Sequence, residues 1–214
     1  MKKAIVLLAL FSAVIVLLAL FDAEIFMQKE DILVDSRDSK RYKTVKIGTQ
    51  IWMAENLKYN ASDSKCYDNK PQNCDKYGRL YDWNTATSAC PSGWHLPNND
   101  EWDILYRYTD GTSGTESLYE SETAGRYLKS KSGWNAYKEK SGNGDDKFGF
   151  SALPGGSGYF HDVFYDIGYD GYWWSASEHI NYNAYSRRMY YYNESAIWYY
   201  GDMNFLHSVR CVKN

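Results

Sequence analysis

The sequence predicts an α+β domain over residues 41–214, with two helices flanking mainly antiparallel strands, preceded by an N-terminal hydrophobic helix. Three observations carry this. Strand-like runs open and close the region, separated by Gly, Asn and Asp. Helical spacing is confined to its middle. Tyr (21 copies) and Trp (8 copies) stand where aliphatic residues are usual. A core built this way rests on aromatic rings, whose polar tips need partners.

The chain starts with "MKK" and an uncharged run, Ala4 to Phe21. As a helix that run spans about 27 Å, close to a bilayer core. Residues 1–24 therefore read as a signal peptide or a membrane anchor. The run is long for a cleaved signal and its cleavage sites are poor, and both readings stay open. A lipoprotein signal is excluded because no cysteine is near. Lys2 and Lys3 place the following chain outside the cytoplasm, in the envelope, on the surface or secreted. Residues 25–40 are polar and read as a linker.

From Arg41 the texture alternates. Tyr42, Val45 and Ile47, then Gly48-Thr49, then Ile51 and Trp52 form a β-hairpin pattern. "YGRLYDWNTATSAC" follows, with Leu80, Tyr81 and Trp83 apolar. "PSGWHLPNNDEWDILYRYT" is the strongest helix: Asn98 is an N-cap, Glu101 completes a capping box, and Trp102, Leu105 and Tyr106 share a face. A second helix is expected over residues 122–130, with Tyr127 and Leu128 inward. After the glycine-rich "SGNGDDKFG" come "FGFSALPGGSGYF", "DVFYDIGYDGYWWSASE" and the strand-like "AYSRRMYYY", "SAIWYYG" and "SVRCVK". Trp83, Trp94, Trp102 and one of Trp173 and Trp174 are expected in the core.

Charge and motif exclude several classes. A net charge of −3 with scattered basic residues gives no face for nucleic acid. The four cysteines, in an exported chain, read as disulfides. Cys66 and Cys74 flank a short polar segment, which leaves Cys90 with Cys211. On the chain-entropy argument these loops contribute about 3 and about 5 kcal/mol. No C-x-x-C exists and the four histidines have no ligand spacing, so no metal is assigned. Whether Asn143, Asp145 and Asp146 hold calcium stays open. "GGSGY" lacks the nucleophile-elbow spacing and "GNGDDK" fails the dinucleotide pattern. The acids of residues 162–178 read as solvated turn residues. No cofactor and no catalytic residue is assigned, and the chain reads as a non-enzyme.

Six ordered motifs, "TVKIGTQIWMAENLKYN", "YGRLYDW", "CPSGWHLPNNDEW", "FGFSALPGG", "YWWSASE" and "SVRCVK", closely resemble the Fibrobacter succinogenes major paralogous domain family over nearly all of residues 41–214. The resemblance implies an exported bacterial protein of C-type-lectin-like fold. "HLPNNDEW" and the closing "VRCV" are also similar to segments of formylglycine-generating-enzyme-type domains, which share that architecture. In such a fold the terminal strands lie together, two helices flank them, and a long loop region faces ligand. "LPNN" sits at a helix cap and no Trp-Asn-Asp is present, so calcium-mediated sugar binding is not implied. The cysteine pairing leaves no thiol for the formylglycine chemistry.

The expected function is a binding or adhesion module at the cell surface. The segment Asn181 to Asn204 mixes Tyr, Asn, Ser and Arg as antibody paratopes do. Strand alternation sets Met189 and Tyr191 on one face and Tyr190 and Tyr192 on the other. The ligand surface is assigned to Tyr169, Tyr172, Tyr185, Arg187, Tyr190, Tyr192 and Trp198, and the ligand to a glycan or protein. The alternative is a structural envelope protein making protein–protein contacts. An uncleaved N-terminal helix adds the membrane as a partner.

Overall fold

The structure is a computed structural model and describes residues 31–112, 120–159 and 161–214. The expected N-terminal hydrophobic helix lies outside these residues. Among the described residues no helix is long and apolar enough to cross a membrane.

In chain order the strands are β1 (Asp31–Val34), β2 (Arg41–Ile47), β3 (Gln50–Met53), β4 (Ser64–Lys65), β5 (Leu80–Tyr81), β6 (Trp94–His95), β7 (Glu120–Ser121), β8 (Ser157–Tyr159), β9 (Val163–Tyr165), β10 (Asp170–Glu178), β11 (Asn183–Tyr190), β12 (Ala196–Asp202), β13 (Phe205–Ser208) and β14 (Val212–Lys213). The helices are α1 (Pro71–Tyr77), α2 (Trp83–Ala89), α3 (Asn99–Asp110) and α4 (Ala124–Leu128). One sheet has the order β1-β2-β3-β14-β6; the other runs β4-β5-β13-β10-β11-β12-β7, with β8 paired to β13 and β9 to β8. Every pairing is antiparallel except β10 with β13. The class is α+β.

The expected hairpin is β2–β3, with Val45 opposite Trp52 and Gly48 at φ +61° in the turn. Part of the polar segment before it is not a spacer. Asp31–Val34 pairs with β2, and the turn between them closes on Asp35, whose buried carboxylate accepts from Arg37 Nη2 at 2.7 Å. Local charge hid this strand; Ile32, Leu33 and Val34 are its β-forming residues.

Helix α3 has the expected capping box. Asn98 Oδ1 accepts from the Glu101 amide at 3.0 Å, and Glu101 Oε2 accepts from the Asn98 amide at 2.9 Å. Trp102, Leu105 and Tyr106 are fully buried. Helix α4 is shorter than expected; Leu128 is buried and Tyr127 is half-buried. Two further helices were not anticipated. Pro71 opens α1, a favourable N1 residue, and Asp82 caps α2 by accepting from the Thr85 amide at 3.0 Å.

Both disulfides form as expected. Cys66–Cys74 spans the entry to α1, and Cys90–Cys211 joins the end of α2 to the residue before β14, with Cα atoms 4.9 and 5.9 Å apart.

The long strand β10 is covered on both faces, so both Trp173 and Trp174 are buried. Trp173 belongs to a core with Trp52, Trp102, Leu105, Tyr106 and Phe150, on the α3 side. Trp174 belongs to a second core with Tyr81, Trp83, Ala86 and Leu96, on the α2 side. Trp94 only borders that second core and is half-buried.

Candidate functional site

Register across β10, β11 and β12 sorts the C-terminal aromatic residues. Trp173 stands opposite Arg187, and Arg187 opposite Trp198; Tyr172 stands opposite Arg188, and Arg188 opposite Ile197. Alternation then puts Trp173, Tyr185, Arg187, Met189 and Trp198 on the α3 face, and Tyr172, Trp174, Arg188 and Tyr190 on the other.

This corrects two of the seven expected surface residues. Arg187 is 0% exposed: its guanidinium donates to Asn99 Oδ1 at 3.0 Å and to Asp103 Oδ1 at 3.1 Å, both on α3. It is a core ion pair between helix and sheet. Tyr172 is 7% exposed, with its ring stacked on His207 and its hydroxyl donating to Asp166 Oδ2 at 2.9 Å. Burial pushes the Tyr172 phenol well above its usual range.

The remaining five fall into two groups at opposite ends of β11. Tyr169, Tyr190 and Tyr192 meet with Tyr137 and Tyr191 at its C-terminal end. Tyr191 contacts Tyr169 at 5.0 Å, Tyr137 at 5.6 Å and Tyr192 at 5.4 Å between ring centroids; Tyr190 meets Tyr192 at 5.0 Å. Tyr137, Tyr169 and Tyr192 are the exposed members, at 39%, 47% and 49%. The Arg188 guanidinium lies 4.3 Å from the Tyr190 ring and 4.7 Å from Tyr172, and pairs with Asp170 at 2.6 Å. Together these side chains form a continuous shelf. As expected, Met189 and Tyr191 pack toward the core while Tyr190 and Tyr192 lie on the other side.

Tyr185 and Trp198 lie at the other end, 5.2 Å apart, with His179 stacked on Tyr200 beside them. There the β10–β11 turn exposes Ile180 and Tyr182, and Asn181 and Tyr182 both adopt positive φ.

A cleft of about 400 Å³ adjoins the shelf, lined by Tyr137, Tyr191, Tyr192, Lys129, Arg126 and Asn143 among others. Lys129 is 2% exposed. Its Nζ donates to the carbonyls of Tyr190 at 3.0 Å and Asn193 at 2.8 Å, and lies 5.1 Å from the Trp134 ring. It thus fastens the β11–β12 connection that carries Tyr191 and Tyr192. Burial lowers its ammonium to a pKa of about 8. The glycine-rich loop packs under the same corner: a Cβ on Gly142 would fall 2.2 Å from the Asn135 carbonyl and 2.6 Å from that of Tyr191.

The oxygen side chains of the loop each have a protein partner. Asn143 Oδ1 accepts from the Trp134 amide, Asp145 pairs with Arg126 at 2.7 Å, and Asp146 accepts from both the amide and the hydroxyl of Ser151. The acids of residues 162–178 are not simply solvated turn residues either. Asp170 is buried against Arg188, and burial pushes its carboxyl upward. Asp166 holds Tyr172, and Asp162 pairs with Lys65.

The model of the Fibrobacter succinogenes major domain matches residues 45–213. The chain belongs to that family. Neither the curated proteins nor the solved structures contain a match to it. The match takes in the end of β2 from Val45, β3, all four helices, the shelf and the cleft. In this Fibrobacter succinogenes major domain, β1 and the part of β2 it pairs with, Arg41 to Thr44, lie ahead of the matched region. Tyr137, Arg188 and Lys129 went unassigned in the sequence. Their signal is weak there, because Lys129 reaches the shelf from 61 residues before Tyr190, and Tyr137 from the same distant segment.

Proposed function

We propose that this domain is an extracytoplasmic binding module of C-type-lectin-like fold that takes a glycan on the shelf of Tyr137, Tyr169, Tyr190, Tyr191 and Tyr192. The observation that carries the reading is the continuity of those rings, three of them exposed, beside a polar cleft. Aromatic faces stack on the C–H faces of sugars, and tyrosine offers large contact area at small entropic cost. Lys129 and the close-packed glycine loop fix the shelf in place before any ligand arrives, which lowers the cost of binding.

The fold reading is supported by β14 lying against β3, so that the strands from both ends of the domain are neighbours, and by α2 and α3 packing on β10. The extracytoplasmic reading is supported by two disulfides and the apolar run at residues 4–21. A binding role rather than catalysis is supported by the engagement of Asp166 and Asp170 with Tyr172 and Arg188.

The test is retention of the protein on a panel of neutral and acidic polysaccharides. Tyr192→Ala and Tyr137→Ala should each weaken binding about tenfold with unchanged melting, the loss of roughly one stacking contact. Undiminished retention in both variants removes the shelf from consideration. A second reading, an envelope protein making assembly contacts, draws on the exposed Ile180 and Tyr182 at the β10–β11 turn. On that reading Ile180→Asp abolishes co-purification with an envelope partner and leaves polysaccharide retention intact.

A further inference from the structure

The cleft beside the shelf contains a charge that its protein surroundings do not neutralise directly. Lysine carries three N–H donors. Two of Lys129's are taken by the carbonyls of Tyr190 and Asn193, and the third has no hydrogen-bond acceptor among the described residues. Both partners are neutral. The other nearby cation, Arg126, is already matched by Asp145 at 2.7 Å and Glu194 at 3.8 Å. Lys140 adds a further positive charge at the cleft. A cation withdrawn from water and bonded only to neutral groups is costly, and an anion entering the same low-dielectric space interacts with it strongly.

We infer that the cleft binds the anionic group of an acidic sugar, a carboxylate or sulfate, whose ring stacks on Tyr137, Tyr191 or Tyr192 while its charge pairs with Lys129. This rests on the glycan reading and narrows it to a ligand class. The rings supply affinity common to many sugars, and Lys129 supplies the preference for charge.

The pH dependence has a definite sign. Glu194 and Asp170 act on Lys129 to favour its charged form, and Arg126, Lys140, Asp145, Tyr137, Tyr191 and Tyr192 complete the surroundings. Burial outweighs the carboxylates and brings the free ammonium to about 8. A bound anion favours the charged form, so binding is full below that value and declines as pH rises through the higher pKa of the complex.

The experiment uses the full chain with its disulfides intact and four probes: a linear galacturonate trimer, the same trimer with its carboxylates amidated, a sulfated galactose trimer, and the unsulfated parent of the latter. At about pH 6.5 the acid is expected to bind at least about tenfold more tightly than its amide, as for a charge pair out of water. That ratio should fall toward one in Lys129→Met, and in the wild type as pH is raised to about 9.5. The ratio separates recognition from support: if Lys129 only fastens the β11–β12 connection, Lys129→Met weakens acid and amide alike and the inference fails. If that variant does not fold, the pH dependence of the wild-type ratio decides. Preference for the sulfated trimer over its parent, with the same dependence on Lys129, upholds the site and names sulfate as its anion. Equal binding of acid and amide by the wild type overturns the inference while leaving the glycan reading standing. Absence of binding by any of the probes or by the neutral polysaccharides, with Tyr192→Ala changing nothing, overturns both.

Discussion

Single buried polar residues decide much of this domain's stability. Arg187 is the clearest case, because it looked like a paratope residue in sequence and is instead the link between β11 and α3. Its charge is desolvated, paired with Asp103 and hydrogen-bonded to Asn99. Replacing one partner of such a pair leaves a buried charge uncompensated. Asp103→Asn should therefore cost about 3–5 kcal/mol in urea unfolding, and the double change Arg187→Met with Asp103→Leu should recover most of that loss. His207 is a second case. Its ring lies between Trp174 at 4.2 Å and Tyr172 at 5.1 Å, fully out of water, with Nδ1 lacking a hydrogen-bond partner among the described residues. Burial, aided by nearby Arg188, lowers its pKa from 6.5 to about 3. Between those values the unfolded chain takes up a proton that the folded one refuses. The stability His207 allows is therefore fully present above about pH 6.5 and is lost as pH falls toward about 3. His207→Phe should flatten the fall in melting temperature over that window, and an unchanged slope would mean other groups set it.

At the scale of elements, legibility followed how local the causes were. The capping box of α3 and the β2–β3 hairpin are written in adjacent residues, and both formed as read. Helices α1 and α2 are seven residues each and too short to show a period, so only Pro71 and the Asp82–Thr85 cap announced them. Strand β1 was masked by charge, since Asp31, Asp35 and Arg37 made the segment look like a spacer although the charges close its turn. Helix α4 sets propensity against packing. Gly125 sits inside it, and alanine there would favour the helix by about 1 kcal/mol. Yet a Cβ on Gly125 would lie 2.3 Å from the Ser195 carbonyl and 2.7 Å from that of Glu194, and the Arg126 amide bonds the Glu194 carbonyl at 2.9 Å. Backbone cannot retreat as a flexible side chain would. Gly125→Ala should therefore destabilise by about 1–3 kcal/mol, the usual scale of overpacking. Because the displaced backbone leads into β12, it should also disturb the shelf; a variant more stable than the wild type would show that this connection moves freely.

The whole molecule holds what local reading could not. The shelf joins Tyr137 to Tyr190–Tyr192 across a sequence distance no periodicity records, and β10 proved buried on both faces because α2 and α3 pack on opposite sides of it. Alternation along β11 correctly separated Met189 from Tyr190, but it carried no information on which face α3 covers, so Arg187 was misplaced outward; Tyr172, on the opposite face of β10, was misplaced because His207, distant in sequence, stacks on it. The disulfides were legible because four cysteines offer few pairings, and they differ in what they constrain. Cys66–Cys74 closes a loop of separation 8 within one small segment, near the Arg79 guanidinium. Cys90–Cys211, of separation 121, ties α2 and the second core to β14, which is the inner strand of the five-stranded sheet between β3 and β6. Cys211 is fully buried there, and its carbonyl accepts from the Met53 amide at 3.0 Å. Removing the long link frees more unfolded-chain entropy, about 5 kcal/mol against about 3 for the short one. It also releases the strand on which the two-sheet arrangement closes. Cys90→Ala with Cys211→Ala should thus lower the unfolding free energy by more than Cys66→Ala with Cys74→Ala and broaden the thermal transition. The short-loop pair should leave β14 protected from hydrogen exchange, because β14 pairs with β3 and β6, outside that loop. If the two double variants melt together, the C-terminal strand is held by its pairing with β3 and β6 alone, and the long bridge constrains a loop that the folded core already determines.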